Sequence, residues 1–225
     1  MNNSPYYKDT GKIALASQLS VRFREKMFAM FMTCMKPDSG YSILDIGVTN
    51  DVRYQESNYF ERLYPHKDRI VCVGTEDGSH LETKYPGIKF TQIIPQKPLP
   101  FKDKEFDVAF SNAVIEHVGN SDNQRAFVNE MLRVSQAFFL TTPNRWFPVE
   151  LHTAMPFLHF LPKKTYRKIL AALGETYWSK EENLNLLSKK ELRALFPREV
   201  NVVIDSVQLL GISTNLVAYS ISKKE

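Results

Sequence analysis

Three short stretches of this chain carry residue types whose spacing could do chemistry. The first is Ser42 to Asp51, where the apolar run Ile43, Leu44 and Ile46 is broken by Asp45 and closed by Gly47. Such a run reads as a buried strand. A carboxylate within it is costly unless something pairs with it, and a glycine after it lets the chain turn sharply or a ligand come close. The second is Glu76-Asp77, just past the apolar run Arg69 to Gly74. An acid at the tip of a second parallel strand can accept from both hydroxyls of a ribose. The third is Ser111-Asn112 followed by Glu116-His117, with His152 further on. Histidine is the usual proton acceptor at neutral pH, and Glu150, two residues before His152, could orient its ring if the chain turns there. Glu116 and His117 side by side are too few donors to argue for a metal. His66 and His80 lie in polar surroundings and read as solvated. His159, within Met155 to Leu161, reads as packed.

The elements that position these residues alternate between two periods. Leu15, Leu19, Phe23, Met27, Met30 and Phe31 mark a helix over 13–35, stopped by Pro37 and Gly40. Strand one is expected over 42–47, a helix over 52–64, strand two over 69–74 and strand three over 88–94. Prolines 95, 98 and 100 force an extended connection. Strand four covers 106–112, a helix opens at a capping box of Ser121 with Gln124, and strand five covers 137–142. Residues 143–187 break the rhythm and read as a cap. In it Tyr166, Ile169, Leu170 and Leu173 form one helical face ending at Gly174. A second capping box, Ser188 with Glu191, opens a short helix, and strands near 200–209 and 214–222 turn around Gly211. The expectation is an α/β fold with a Rossmann-like, seven-stranded, mostly parallel sheet. An antiparallel hairpin closes it, helices cover both faces, and the cap is inserted between strands five and six. All 225 residues make one domain.

Composition narrows the class. Hydrophobic residues make up 43% and charged residues 24%, as in an ordinary soluble globular protein. A net charge of +4 is too weak to imply nucleic acid, though it suits an anionic small molecule or a lipid surface. Two cysteines read as reduced core thiols, the polar segment Met1 to Thr10 has no signal-peptide core, and no apolar run spans a bilayer; a cytoplasmic protein is expected. The three-glycine dinucleotide fingerprint is missing, which argues against a nicotinamide oxidoreductase.

The order of these motifs resembles the class I S-adenosylmethionine-dependent methyltransferases. The pieces are Ile43-Leu44-Asp45-Ile46-Gly47, Val73-Gly74-Thr75-Glu76, Leu99-Pro100-Phe101, and the run Phe106 to Val118, which is the most specific. The last resembles the fourth-strand motif of the small-molecule branch. Residues 141–153 resemble a bacterial subgroup often met beside glycan genes. The resemblance implies S-adenosylmethionine as cofactor. Asp45, Gly47, Val48 and Thr49 would hold its methionine end, and Glu76, with Asp77 beside it, its ribose. Ser111, Asn112 and Ala113 would lie beside the sulfonium. The family's glycines are replaced by Thr49 and Asp51, and Pro95 stands where an acid often meets the adenine, leaving Gln96 as a substitute. The implied reaction is O-methylation of a small molecule or a sugar or glycan hydroxyl, with His152 or His117 as catalytic base and no metal. A non-catalytic module that binds S-adenosylmethionine through the altered loop is the second reading. No nucleic-acid partner is expected. The stretch 151–173, apolar and rich in lysine and arginine, could rest on the inner face of a membrane. Gly47→Val is expected to block ligand binding by occlusion while sparing the fold.

Overall fold

The computed structural model describes residues 13–220 apart from residue 55, and side chains from residue 20 onward. The expectations on Met1 to Thr10, on the side chains of Leu15 and Leu19, and on the end of the last strand lie outside the described residues. The chain forms α1 (Ile13–Met35), β1 (Ile43–Ile46), α2 (Tyr59–Leu63), β2 (Ile70–Gly74), α3 (His80–Lys84) and β3 (Lys89–Gln92). There follow β4 (Phe106–Asn112), α4 (Ser121–Val134), β5 (Ser135–Pro143), α5 (Lys163–Ala172), α6 (Lys189–Leu195), β6 (Val203–Leu209) and β7 (Ile212–Ser220). Seven strands make one sheet in the order β3-β2-β1-β4-β5-β7-β6. The pairs among β1 to β5 are parallel, while β7 runs antiparallel to both β5 and β6. This is the expected Rossmann-like sheet with its closing hairpin. The order reverses on either side of β1, so the carboxyl ends of β1, β2 and β4 frame the crevice where open α/β sheets take ligands.

Each sheet face is covered for a reason visible in side-chain alternation. On one face Ile43, Cys72, Val108, Phe110 and Phe139 meet α1 and α2. The fourfold spacing of Phe23, Met27, Phe31 and Met35 puts all four in that core. Phe31 meets Phe60, Phe110 and Phe139 edge-on, with ring centres 5.0, 5.6 and 5.5 Å apart. Each fully buried ring of this kind contributes roughly 1.5–3 kcal/mol. On the other face Leu44, Ile46, Ala109 and Phe138 meet Val128, Met131 and Leu192 from α4 and α6.

Three local details differ from expectation. The helix expected over 52–64 is confined to Tyr59–Leu63. Ahead of it Asp51 binds Arg53 through both carboxylate oxygens, and Asn58 sits at φ 49°. These side-chain bonds offer the backbone an alternative to helix. The cap of α4 is Asn120 rather than Ser121, its side chain accepting from the N–H groups of Asp122 and Asn123. Gln124, freed from capping, is buried and donates to Ile115 O and Asn185 O. The residues read as a polar loop around His80 form the short helix α3. The capping box of Ser188 and Glu191 is present at α6.

The cap has its own small core of Tyr166, Leu170, Trp178, Leu184 and Leu186. It is tied to the β4–α4 connection by Asn185, whose side chain donates to Gly119 O and whose N–H donates to Glu116 O. Among the described residues no helix is long and apolar enough to cross a membrane.

Candidate active site

The carboxyl edge of the sheet carries two groups of polar residues. The first surrounds the turn after β1. Gly47, at φ +104°, and Val48 both donate their N–H to Val73 O, at 2.8 and 3.1 Å, which locks the turn to β2. Thr49 is clamped by Asn58, which accepts from Thr49 N and donates to Thr49 O. The side chains of Thr49, Asp51 and Asn58 thus hold a loop that lacks the glycines of the usual motif. Glu76 and Asp77 are exposed beyond the end of β2, and Asp77 accepts from Ser79 N at 2.9 Å. Ser111 donates to Ile46 O at 2.8 Å, and Asn112 accepts from Thr141 Oγ1 at 2.7 Å. Ala113 stands at φ 55° as the chain leaves β4. Gln96 is exposed at φ 60° in the connection after β3.

Asp45 does find a partner, and it is another acid. Its carboxyl lies in the core beside Glu61 of α2, within hydrogen-bond reach. Cys72 Sγ donates to Glu61 Oε1 at 3.2 Å, while Glu61 Oε2 meets no other donor among the described residues. Two buried carboxylates side by side cannot both be ionised, and a proton carried by Asp45 supplies the missing donor. Burial, reinforced by the Glu61 charge, accordingly raises the Asp45 pKa well above its ordinary value. Since the folded state then holds a proton that the unfolded chain has lost above its carboxylate pKa, stability falls as pH rises through the folded value. Glu61→Gln, whose amide can donate to an ionised Asp45, is expected to flatten that fall. Urea unfolding at about pH 5 and about pH 8 measures it, and equal slopes in the two proteins would contradict the shared proton.

The second group lies where β4 and β5 meet the cap. His117, in the short 3-10 turn after β4, and His152, in the cap, stand edge to face with ring centres 4.9 Å apart. Trp178 closes against both rings, at 4.8 Å from His152 and 6.0 Å from His117. Each ring is fixed through its Nδ1. His117 Nδ1 donates to Asn183 O at 2.7 Å, which leaves the lone pair on Nε2. His152 Nδ1 donates to Glu150 Oε1 at 2.6 Å, while Thr153 satisfies Glu150 Oε2 through N and Oγ1. The chain turns at Glu150 as the orienting role requires. Glu116 is 0% exposed. Its Oε2 accepts from Thr142 Oγ1 at 2.9 Å, and its Oε1 lies 3.8 Å from His117 Nε2 with no hydrogen-bond donor among the described residues.

The charges follow from these contacts. Burial pushes Glu116 up to about 7. Burial, with the neighbouring His152, pushes His117 down to about 3, so this ring is neutral. Burial works against the charged form of His152, but the Glu150 carboxylate outweighs it and raises the pKa. Burial also disfavours the Glu150 carboxylate; the His152 charge and hydrogen bonds win and hold it down at about 2. The two histidines singled out in the sequence are thus brought together across 34 intervening positions of chain. Sequence reasoning missed the completing parts: the buried carboxyl of Glu116, the wall of Trp178, and the Asn183 carbonyl. Asn183 and Trp178 carry no local signal. Glu116 did, in its adjacency to His117. His159, read as packed, is buried and bonded to Phe147 O at 2.7 Å.

Residues 70–137 match the family model described as a methyltransferase domain. No protein of curated function matches the chain significantly. Among solved structures, a protein of Pyrococcus horikoshii OT3 is 15% identical, with 96% of this chain and 95% of that one covered at a TM-score of 0.57. An S-adenosylmethionine-dependent methyltransferase of Mesorhizobium loti is 13% identical over 87% of this chain and 95% of its own, at 0.54. One from Methanosarcina mazei is 14% identical over 81% and 92%, at 0.51. These likenesses give the fold, the class I methyltransferase sheet. The matched segment runs from β2 through α4 into β5, and its likeness to a methyltransferase domain points to S-adenosylmethionine as the cofactor.

The ends of β1 and β2 suit that cofactor. A Cβ at Gly47 would lie 2.2 Å from Val114 Cγ2, and one at Gly74 would lie 2.8 Å from Val48 O. Close main-chain approach is built in at both strand ends. Glu76 stands exposed beside them as an acceptor for a diol. The N–H groups of Val48 and Thr49 are already engaged within the protein, so those two residues offer side chain and carbonyl rather than amide donors.

Proposed function

We propose that this protein O-methylates a hydroxyl of a small molecule or of a sugar or glycan, with His152 as the proton acceptor. The single observation that carries this reading is the Glu150–His152 pair, bonded at 2.6 Å and set against His117 and Trp178 at the carboxyl edge of β4 and β5. S-adenosylmethionine, when bound, supplies a methyl group on a sulfonium, so the protein needs alignment and a proton acceptor rather than a covalent group. The acceptor hydroxyl would give up its proton as its oxygen takes the methyl group that the cofactor would supply. His152 Nε2 would take that proton, with Nδ1–H held by Glu150. Glu76 would take the ribose hydroxyls, with Asp77 next to it. The half-buried rings of His117 and His152 would suit a polyol, which presents apolar C–H faces between its hydroxyls. In a screen of hydroxyl and amine acceptors, formation of S-adenosylhomocysteine is expected with polyols or sugars. Turnover confined to amines would sink the reading.

The acceptor's origin is suggested by the outer side of the cap. Trp146, Leu151 and Phe157 are 48%, 56% and 60% exposed. Trp146 and Phe157 both pack on Phe160, with centroids 5.3 and 5.7 Å away, so they form one patch. Tyr166 and Leu170 of α5 face inward, and Leu173 and the neighbouring Lys164 and Lys168 are exposed. The face expected on α5 thus packs inward, and the apolar surface lies ahead of it. An aromatic patch flanked by lysines favours an anionic membrane surface and a lipid-linked acceptor. Flotation with anionic vesicles at low salt is expected, reduced in Phe157→Ser. A protein that stays at the bottom of the gradient would remove the membrane from the reading.

A further inference from the structure

We infer that Glu116, His117 and His152 form a binding site for a divalent cation of the zinc class. In sequence Glu116 and His117 supply two donors. The cap brings a third, and one ligand atom from each of the three lies within 4.8 Å of the others. Three features point to an ion rather than to a packed core. Glu116 Oε1 is buried with no hydrogen-bond donor among the described residues, a costly arrangement for a carboxyl oxygen unless a cation meets it. Each ligand is held from behind, His117 by Asn183 O, His152 by Glu150 and Glu116 by Thr142. Such outer bonds set tautomer and ring orientation in metal sites. Both imidazoles bond through Nδ1, so both turn Nε2 away from the supporting partner.

The donor set selects the ion. Two imidazoles and one carboxylate suit zinc, cobalt or ferrous iron, whereas magnesium and calcium prefer oxygen donors alone. Ligands about 2.1 Å from zinc in a tetrahedron stand about 3.4 Å apart. The 3.8 Å between His117 Nε2 and Glu116 Oε1 is near that, and the widest separation, 4.8 Å, closes with small side-chain rotations. Three protein ligands leave the fourth position for an exogenous oxygen, as in catalytic zinc sites. The inference bears on the methyl-transfer reading only through that position. A hydroxyl bound there is polarised and loses its proton more readily, with His152 then serving as ligand in the metal-loaded protein and as base in the metal-free one.

Cobalt(II) is the probe, because a tetrahedral nitrogen–oxygen site gives it visible d–d absorption. Titration of the chelator-stripped full chain is expected to give these bands at one equivalent, with zinc displacing cobalt. Glu116→Gln, which is isosteric, and His152→Asn should each abolish the bands, with circular dichroism confirming the fold. Glu150→Gln, which alters only the support behind His152, should weaken cobalt binding roughly 10–100-fold. Absence of the bands, or bands of equal strength in the Glu116→Gln and His152→Asn proteins, would overturn the site. The outcome is independent of methyl transfer, which the acceptor screen reads separately.

Discussion

His152→Ala is expected to lower the rate of methyl transfer by roughly 10²–10⁴-fold, the usual cost of losing a positioned proton acceptor. The magnitude rests on how firmly the ring is held. Its Nδ1 is 2.6 Å from Glu150 Oε1, and its faces and edges meet His117 and Trp178. A rigid support of this kind is what keeps Nε2 aimed at an incoming hydroxyl. Cofactor affinity is expected to change little, because Glu76, the acid proposed for the ribose, and the Gly47 turn lie at the ends of other strands. Glu150→Gln keeps the shape but removes the charge and breaks the match of donor to acceptor, so an intermediate loss is expected. Single-turnover transfer separates the cases, with cofactor affinity measured by calorimetry. Wild-type single-turnover rates in both variants would show that His152 takes no part in proton transfer and that the chain works by alignment alone.

The parts of this site legible in sequence are those whose signal is local. Ile43 to Gly47 announces a buried strand and its turn, because apolar periodicity and a glycine suffice. Ser188 and Glu191 announce a helix start for the same reason. Glu150 and His152 are two residues apart, so their pairing could be read as a possibility of the turn. What escaped sequence reasoning depends on tertiary pairing. Glu61 belongs to α2, and only the packing of α2 on β1 sets it against Asp45. Asn183 and Asn185 follow the cap's own core and reach back more than sixty positions to His117 and Gly119. The false cap at Ser121 has a similar origin: the correct spacing was present, yet Gln124 was claimed by Ile115 O and Asn185 O in the interior. The helix expected from residue 52 failed because Asp51 and Asn58 hold the chain in side-chain-bonded turns, in a stretch that apolar spacing alone made look helical.

Gly47→Val is expected to damage the fold as well as the cofactor site, against the simple occlusion that the sequence suggested. Two costs combine. The backbone at φ +104° belongs to a region that side-chain-bearing residues rarely adopt, worth on the order of 1–3 kcal/mol. A Cβ there would also lie 2.2 Å from Val114 Cγ2 and 3.2 Å from Val114 Cβ, and forcing such a side chain aside costs about 1–3 kcal/mol more. Val114 cannot move alone. It sits between Ala113, at φ 55°, and the turn that carries Glu116 and His117, and its carbonyl accepts from His117 N at 2.8 Å. Displacement of Val114 therefore reaches the cluster of Glu116, His117 and His152. The expected result is a fall in the urea midpoint equivalent to about 2–6 kcal/mol, with loss of cofactor binding and of transfer together. Adding Val114→Ala to Gly47→Ala should recover part of the stability by removing the collision, and not the rest, because the backbone strain at Gly47 remains. A Gly47→Val protein that unfolds at the wild-type midpoint would show that the β1 and β4 connections are not in contact at this point.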